Sequence, residues 1–168
     1  VQSRGLGDVY KRQDEGYILL SNNSPDIKNW EKIVLPTGPF GFDKNKYNHA
    51  AAGDINNDGF TDVVVAITRD LPYYEGAYIQ ILINNGAGEL IDMTNSNFSL
   101  QPRSDRHHGE GNIYLRDMNL DGNLDIIHST RDYDSGYHGA HIAINDGNGK
   151  FVSLDNSNLP MKPDPGSN

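Results

Sequence analysis

The chain has 168 residues, no cysteine and a formal net charge of −9, from 14 basic and 23 acidic residues. This acidic balance argues against a nucleic-acid-binding protein, which would carry a basic face. Without cysteine no disulfide can form, so any cross-link within the fold must come from another source, such as a metal ion. The apolar runs are far shorter than the roughly twenty residues that span a bilayer. The sequence therefore predicts no membrane insertion in this segment.

The first forty residues do not form a complete repeat. Residues 1–13 are basic and match no other part of the chain, so we predict that they are a non-native or unstructured segment. Residues 17–20 (YILL) form a short apolar run before the turn-forming sequence SNN, which is typical of a strand in a hairpin. We interpret residues 14–40 as the last strands of a partial blade.

The first complete repeat is predicted at residues 41–95. β-Branched and aromatic runs bounded by glycine and asparagine indicate short antiparallel strands. Four strands are expected, at about 49–52, 62–68, 77–84 and 90–93. The Asn85-Gly86 pair suits the tight turn before the last strand, because both residues tolerate positive φ. Four such strands make one blade of a β-propeller.

Between the first two strands of this repeat lies the sequence DINNDGFTD, at residues 54–62. Oxygen-bearing side chains alternate around one glycine, as in a loop that surrounds a cation with six to eight oxygen ligands. The predicted ligands are the side chains of Asp54, Asn56, Asp58 and Asp62 and the backbone carbonyl of Phe60. Gly59 lets the backbone turn sharply. We expect calcium, because magnesium demands stricter octahedral geometry and usually keeps several waters.

The second complete repeat is predicted at residues 96–157, followed by a tail or linker at 158–168. Its strands are expected at about 111–115, 125–130, 140–145 and 150–154. Its loop, DMNLDGNLD, lies at residues 117–125 and has the same spacing. The predicted ligands are the side chains of Asp117, Asn119, Asp121 and Asp125 and the backbone carbonyl of Asn123. Such residues also cluster in ordinary turns, but a pattern that occurs twice favours two calcium sites.

The residues after each loop indicate which kind of calcium loop this is. An EF-hand or dockerin loop ends in an acidic twelfth residue and opens into a helix. The twelfth residue here is Val65 or His128, and each loop runs into a β-branched segment. The loops are therefore predicted to join strand to strand and to be structural rather than catalytic. A dockerin-like protein is the weaker alternative.

The loop segments GDINNDGFTDVVV (53–65) and RDMNLDGNLDII (116–127) resemble FG-GAP or VCBS-type repeats, the calcium-bearing blades also seen in integrin α-subunit propellers. The resemblance covers roughly residues 16–156. A Gly-Ala-Pro tripeptide after the second strand is missing, which favours the bacterial VCBS-like group. The resemblance implies an all-β fold, with about two full four-stranded propeller blades and a partial one. It also implies a fragment of an extracellular or cell-surface protein that supplies the remaining blades.

Propeller topology predicts a second rim, away from the calcium loops, where strands two and three are connected. Candidate ligand-binding residues there are Arg69, Tyr73, Tyr74, His108, Arg131, Tyr133 and Tyr137. Aromatic rings stack on sugars and arginine binds carboxylates, so a glycan or another surface protein is the expected partner. The alternative is that Arg69-Asp70 and Arg131-Asp132 are loop-stabilising charge pairs, repeated because the blade is repeated.

The sequence contains no nucleophile motif, glycine-rich phosphate loop or paired thiolates. It therefore favours a calcium-stabilised propeller segment without catalytic activity, acting in adhesion, protein interaction or glycan binding. The alternative is part of a calcium-bearing propeller polysaccharide lyase. In that case arginine, tyrosine and histidine of the second rim would neutralise and deprotonate a uronic acid.

Overall fold

The computed structural model describes residues 10–12, 15–20, 24–41, 44–69, 75–98, 108–109, 111–132, 137–154 and 162–163. These residues lie mainly in short strands of three antiparallel sheets. The predicted all-β fold of propeller-like blades is thereby confirmed. In this part of the chain no helix is long and apolar enough to cross a bilayer.

The first sheet contains three strands in the order β1-β2-β3, which are Tyr10–Arg12, Glu15–Leu20 and Glu31–Val34. A single 3-10 turn, Ile27–Asn29, connects β2 to β3. This sheet corresponds to the partial blade of the sequence analysis. Its strand β1 comes from residues 1–13, which the sequence analysis set aside from the repeat.

The second sheet, here called the first blade, has four strands that pair in chain order. They are β4 (Asn45–Gly53), β5 (Asp62–Arg69), β6 (Glu75–Asn84) and β7 (Leu90–Asp92). Strand β4 begins four residues before the predicted start at 49. The reason is a break in register between Tyr47 and His49, which interrupts the alternation by which a strand is recognised in sequence.

The third sheet, here called the second blade, has six strand segments: β8 (His108–Gly109), β9 (Ile113–Arg116), β10 (Asp125–Asp132), β11 (Tyr137–Asn145), β12 (Phe151–Ser153) and β13 (Lys162–Pro163). Both β8 and β9 pair with β10, and both β12 and β13 pair with β11. The sheet is therefore a four-stranded blade whose first and last strands are each in two pieces. Strand β13 lies within the segment 158–168 that was predicted to be a tail.

The sheets pack face to face, as the alternation of β5 makes clear. Val64 and Ala66 belong to a buried cluster with Ile126 and other residues of the second blade. Val63, Val65 and Ile67 belong to a second cluster with residues of the first sheet. Because successive side chains of a strand point to opposite faces, β5 is covered on both sides. The first blade thus lies between the two other sheets.

Two further features join the first blade to the second. The Nδ1 atom of His49, in β4, accepts a hydrogen bond from the backbone amide of Ile113 at 3.2 Å. A short helix, α1 (Thr94–Asn97), follows β7 and leads to Phe98, which is buried and forms a backbone bridge to Phe151. Neither the helix nor the contact between Phe98 and Phe151 was predicted from the sequence.

Candidate functional site

The first loop, residues 54–62, connects β4 to β5 and contains two backbone positions with positive φ. These are Asn57, at φ 59°, and Gly59, at φ 88°. The second loop, residues 117–125, connects β9 to β10 and repeats this geometry at Leu120, φ 63°, and Gly122, φ 90°. Glycine adopts this conformation without steric cost, whereas leucine rarely does. Both loops join strand to strand, as predicted.

Side-chain oxygens close the first loop around its own backbone amides. Oδ1 of Asp54 accepts a hydrogen bond from the amide of Asp58 at 3.0 Å, and Oδ2 accepts one from Gly59 at 2.8 Å. Oδ1 of Asp58 accepts one from the amide of Phe60 at 2.8 Å, and Oδ2 accepts one from Nδ2 of Asn56 at 2.8 Å. Every predicted ligand between positions 1 and 7 of the loop therefore takes part in one network.

The second loop repeats this network bond for bond. Asp117 accepts hydrogen bonds from the amides of Asp121 at 3.1 Å and Gly122 at 2.9 Å. Asp121 accepts from the amide of Asn123 and from Nδ2 of Asn119, both at 2.8 Å. These two donors hold the pKa of Asp121 below its ordinary value. The sequence repeat is thus also a repeat of atomic contacts.

The last acid of the first loop, Asp62, is fully buried and ties the loop to the body of its blade. Its carboxylate accepts hydrogen bonds from the amides of Ile55 at 3.0 Å and Asn84 at 2.9 Å. Burial raises the pKa of Asp62 to about 6, the two hydrogen bonds oppose that rise, and the charges of Asp58 and Asp54 add to it. The carboxylates of this loop therefore repel one another.

Asp125 has the same place in the second loop. It is fully buried and accepts hydrogen bonds from the amides of Met118 at 2.8 Å and Asn145 at 2.9 Å. Each loop is thus fastened at its end to the third strand of its own blade.

The donor set of each loop has the chemistry that a hard cation requires. It contains three carboxylates, one amide oxygen and one backbone carbonyl, and a carboxylate oxygen that accepts one hydrogen bond keeps a second lone pair. Among the described residues, no group of three or more histidine, cysteine, aspartate or glutamate side chains is arranged to hold a metal ion. A calcium site here would therefore need the asparagine and backbone oxygens together with the carboxylates.

The two loops contact each other and a turn of the second blade. Nδ2 of Asn57 donates to Oδ1 of Asn123 at 3.0 Å and to the carbonyl of Gly147 at 2.9 Å. We call this edge, with residues 54–62, 117–125 and 145–149, the loop rim. Sequence reasoning missed the contact, although one signal exists: Asn57 and Leu120 occupy the same loop position but differ in chemistry.

The structure describes only some of the residues predicted to bind a ligand at the second rim, which we call the opposite rim from here on. Tyr73, Tyr74 and Tyr133 lie outside the described residues. Arg69 is the last residue of β5, and its backbone lies opposite that of Glu75, the first residue of β6.

In the second blade, three predicted residues lie together at one end of the sheet. Asp132 pairs with His108 on one side and with Tyr137 on the other, and Arg131 is its neighbour in β10. The backbone thus brings His108, Arg131 and Tyr137 to one strand end.

Two buried histidines, His128 and His141, are direct partners across β10 and β11. The pKa of each is lowered to about 4, chiefly by burial and, for His128, also by the neighbouring His141. Nε2 of His141 lies 3.0 Å from Oγ of Ser153. Within the described ranges the Nδ1 atom of each ring has no hydrogen-bond partner. Both rings are therefore neutral core residues, although the hydrogen-bonding capacity of neither is fully used.

Comparison with known proteins bears on this loop-bearing segment. A family model described as an FG-GAP-like repeat matches residues 54–128, from the first residue of the first loop to three residues beyond the second. Searches of curated proteins and of solved structures gave no match. Residues 54–128, with both loops and the strands between them, are therefore similar to an FG-GAP-like repeat.

Proposed function

We propose that this chain is a calcium-stabilised β-propeller segment of an exported or cell-surface protein, with a binding role and no catalytic activity of its own. The main support is the pair of loops that repeat the same hydrogen bonds around the same oxygen-bearing residues. Three carboxylates in so short a loop repel one another unless a cation offsets their charge. Calcium would then hold the first two strands of each blade together at the loop rim.

The residues that would hold the two ions are those predicted from the spacing. The first loop would use Asp54, Asn56, Asp58 and Asp62 with the carbonyl of Phe60, and the second would use Asp117, Asn119, Asp121 and Asp125 with the carbonyl of Asn123. Bound calcium would supply charge neutralisation and oxygen coordination. The chain itself supplies the closed loop, because both oxygens of Asp54 and of Asp117 accept hydrogen bonds from loop amides.

The remaining blades of a parent chain are a proposed partner of the second blade. Ile55 of the first loop is fully buried against the second blade, whereas Met118, at the same position of the second loop, is 46% exposed. Leu120 is 88% exposed, at the position where Asn57 contacts the second blade. An equivalent blade packed on this side would bury both apolar side chains.

The proposed ligand surface is the opposite rim, with Arg69 and Arg131 as the charged residues. The strand pairing that brings His108, Arg131 and Tyr137 to one end of the second blade supports a site at that edge. Guanidinium groups bind carboxylates through paired hydrogen bonds, and this favours an acidic glycan over a neutral one.

Thermal unfolding with and without calcium chloride tests the calcium proposal. We expect calcium to raise Tm and a chelator to reverse the rise, with about 2.7 kcal/mol of stabilisation for each site at a hundred times its Kd. Magnesium at the same concentration should raise Tm less.

The quadruple variant Asp54→Asn, Asp58→Asn, Asp117→Asn, Asp121→Asn should lose the calcium response. The control is Asp26→Asn, which changes an exposed acid outside the loops and keeps an oxygen that accepts the same hydrogen bond. This variant should retain the calcium response. An identical Tm in calcium and chelator would contradict the proposal.

Binding to pectic oligosaccharides, followed by NMR, tests the opposite rim. We expect Arg131→Ala and Arg69→Ala to weaken binding, and Lys150→Ala, which removes an exposed cation next to the loop rim, to have no effect. If uronic acid products with new double bonds accumulate, measured by ultraviolet absorbance, the non-catalytic assignment is wrong and the lyase alternative replaces it.

A further inference from the structure

We propose that the two loops of the loop rim are coupled, so that a cation bound by one raises the affinity of the other through Asn57 and Asn145. The inference rests on the proposed calcium function. It goes further by assigning a regulatory role to two residues that are not predicted ligands.

Asn57 lies between two predicted ligands of the first loop, Asn56 and Asp58. Its side-chain amide donates to Oδ1 of Asn123 at 3.0 Å and to the carbonyl of Gly147 at 2.9 Å. Asn123 is the residue whose backbone carbonyl is a predicted ligand in the second loop. An ordered first loop therefore restricts the residue that provides a ligand in the second.

Asn145 forms a second, buried link between the loops. Only 2% of it is exposed, and its Nδ2 donates to the carbonyl of Ile55 at 2.7 Å and to that of Leu124 at 3.0 Å. Ile55 belongs to the first loop and Leu124 to the second. The backbone amide of Asn145 donates to the carboxylate of Asp125 at 2.9 Å. One side chain thus fixes the spacing between the two loops beside a predicted ligand.

Within the part of the chain that the structure describes, the equivalent residues elsewhere in the repeat make no such link. Nδ2 of Asn84, the counterpart of Asn145, donates to the carbonyl of Thr61 within its own loop at 3.2 Å. Leu120, the counterpart of Asn57, has an apolar side chain that cannot donate a hydrogen bond. The chain therefore contains a matched control for each linking residue.

The direction of the coupling follows from ordering. A cation that fixes one loop also fixes the hydrogen-bond donors and acceptors that this loop presents to the other, so the second cation loses less conformational freedom on binding. Electrostatic repulsion between two bound dications acts in the opposite direction. A variant that removes only the hydrogen bonds separates the two effects.

The experiment uses NMR of the ¹⁵N-labelled chain titrated with calcium chloride. The amides of Gly59 and Gly122 are separate reporters, because each donates to the first carboxylate of its own loop. Asp54→Asn with Asp58→Asn disables the first loop, and Asp117→Asn with Asp121→Asn disables the second; each change preserves the size of the side chain and one of its two acceptor oxygens. We expect disabling either loop to lower the calcium affinity of the other about fivefold or more, by the same factor in both directions.

Asn57→Gly is the decisive variant. Glycine adopts the positive φ of this position, and the residue is exposed, so the chain should fold while both hydrogen bonds of the Asn57 side chain are lost. In this background only the Asn145 link remains, so disabling one loop should change the affinity of the other by a clearly smaller factor than in the parent chain. Leu120→Gly makes the same backbone change in the second loop and should leave the coupling intact.

The outcomes separate the inference from the proposed function. If both glycines respond to calcium but their affinities are independent, the coupling is overturned and the calcium function stands. Coupling that is as large in Asn57→Gly as in the parent chain overturns the role of Asn57. If neither glycine responds to calcium, the proposed function fails, and the inference that rests on it fails too.

Discussion

The first and second loops have the same internal hydrogen bonds but different surroundings. Inside each loop, the first acid closes the turn on the amides of positions 5 and 6. Outside, Ile55 and Asn57 contact the second blade, whereas Met118 and Leu120, at the same positions, are exposed. The comparison shows that repeated residues determine the shape of a loop, while the residues that differ between repeats determine what the loop contacts.

The largest expected effect comes from the apolar residue at position 2 of each loop. Ile55 is fully buried in the cluster between the blades, so Ile55→Ala should lower the free energy of unfolding by about 3–4 kcal/mol. Met118 is 46% exposed, and Met118→Ala should cost less than about 1 kcal/mol. Urea denaturation of both variants measures the difference. Equal losses would mean that the two loops have similar surroundings, contrary to the comparison.

The two blades should also differ in their response to acid. Val65 of the first blade and His128 of the second have the same place in the repeat, and both are fully buried. The folded pKa of His128 is about 4, below its ordinary value of 6.5, because burial disfavours the charged ring. Below pH 6.5 the unfolded chain takes up a proton that the folded chain does not. The contribution of His128 to the free energy of unfolding is therefore fully present above about pH 6.5. It is lost as the pH falls to about 4, and the loss is about 3 kcal/mol.

His128→Val tests this pH dependence with the residue of the first blade. Urea denaturation at pH 7 and at pH 4.5 should give a smaller loss of stability for the variant than for the parent chain. The difference between the chains is the diagnostic quantity, because His141 and Asp62 also have shifted pKa values. His141 acts in the same direction as His128, and Asp62, whose pKa is raised to about 6, acts in the opposite one. Equal losses in both chains would contradict the assignment.

The buried amide of Asn145 should be worth more than its counterpart Asn84. Asn145→Ala leaves the carbonyls of Ile55 and Leu124, in a buried and a partly buried contact, without this donor, and should cost about 2–3 kcal/mol. Asn84→Ala removes a single side-chain donor bond at 3.2 Å and should cost about 1 kcal/mol. Thermal unfolding of the two variants in the absence of calcium makes the comparison independent of the metal. A larger loss for Asn84→Ala would argue against a link between blades.

Much of the fold was predictable because local chemistry and tertiary structure agree. The strand beginning at Asp62 was predicted to the residue at its start, since a β-branched run follows directly on a glycine-containing loop. The first half of β4 was not, because the irregular register beside Tyr47 breaks the two-residue alternation. Helix α1 is a single polar turn without a periodic pattern. Its position depends on the burial of Phe98, a contact with a distant strand.

The loops were predictable for the same reason, and their mutual contact was not. The alternation of oxygen-bearing side chains around a glycine is a pattern of nine consecutive residues. The sequence alone therefore indicates the hydrogen-bond network inside each loop. The contact from Asn57 to Asn123 joins residues far apart in sequence, and it exists only because two blades stack. Position 4 of the loop is polar in the first repeat, Asn57, and apolar in the second, Leu120. This difference between the repeats is the sequence signal that indicates different surroundings.

Exchanging the residues at position 4 should produce the smallest effects and the most direct test of the comparison. Asn57→Leu removes two hydrogen bonds to the second blade and should cost about 1–2 kcal/mol. Leu120→Asn should instead stabilise the chain by up to about 1 kcal/mol, because asparagine tolerates the positive φ of this exposed position better than leucine does. Urea denaturation of the two single variants and of the double exchange should give changes of opposite sign that add. If the two exchanges give changes of equal size and opposite sign, backbone strain alone, rather than contact with the neighbouring blade, determines the residue at this position.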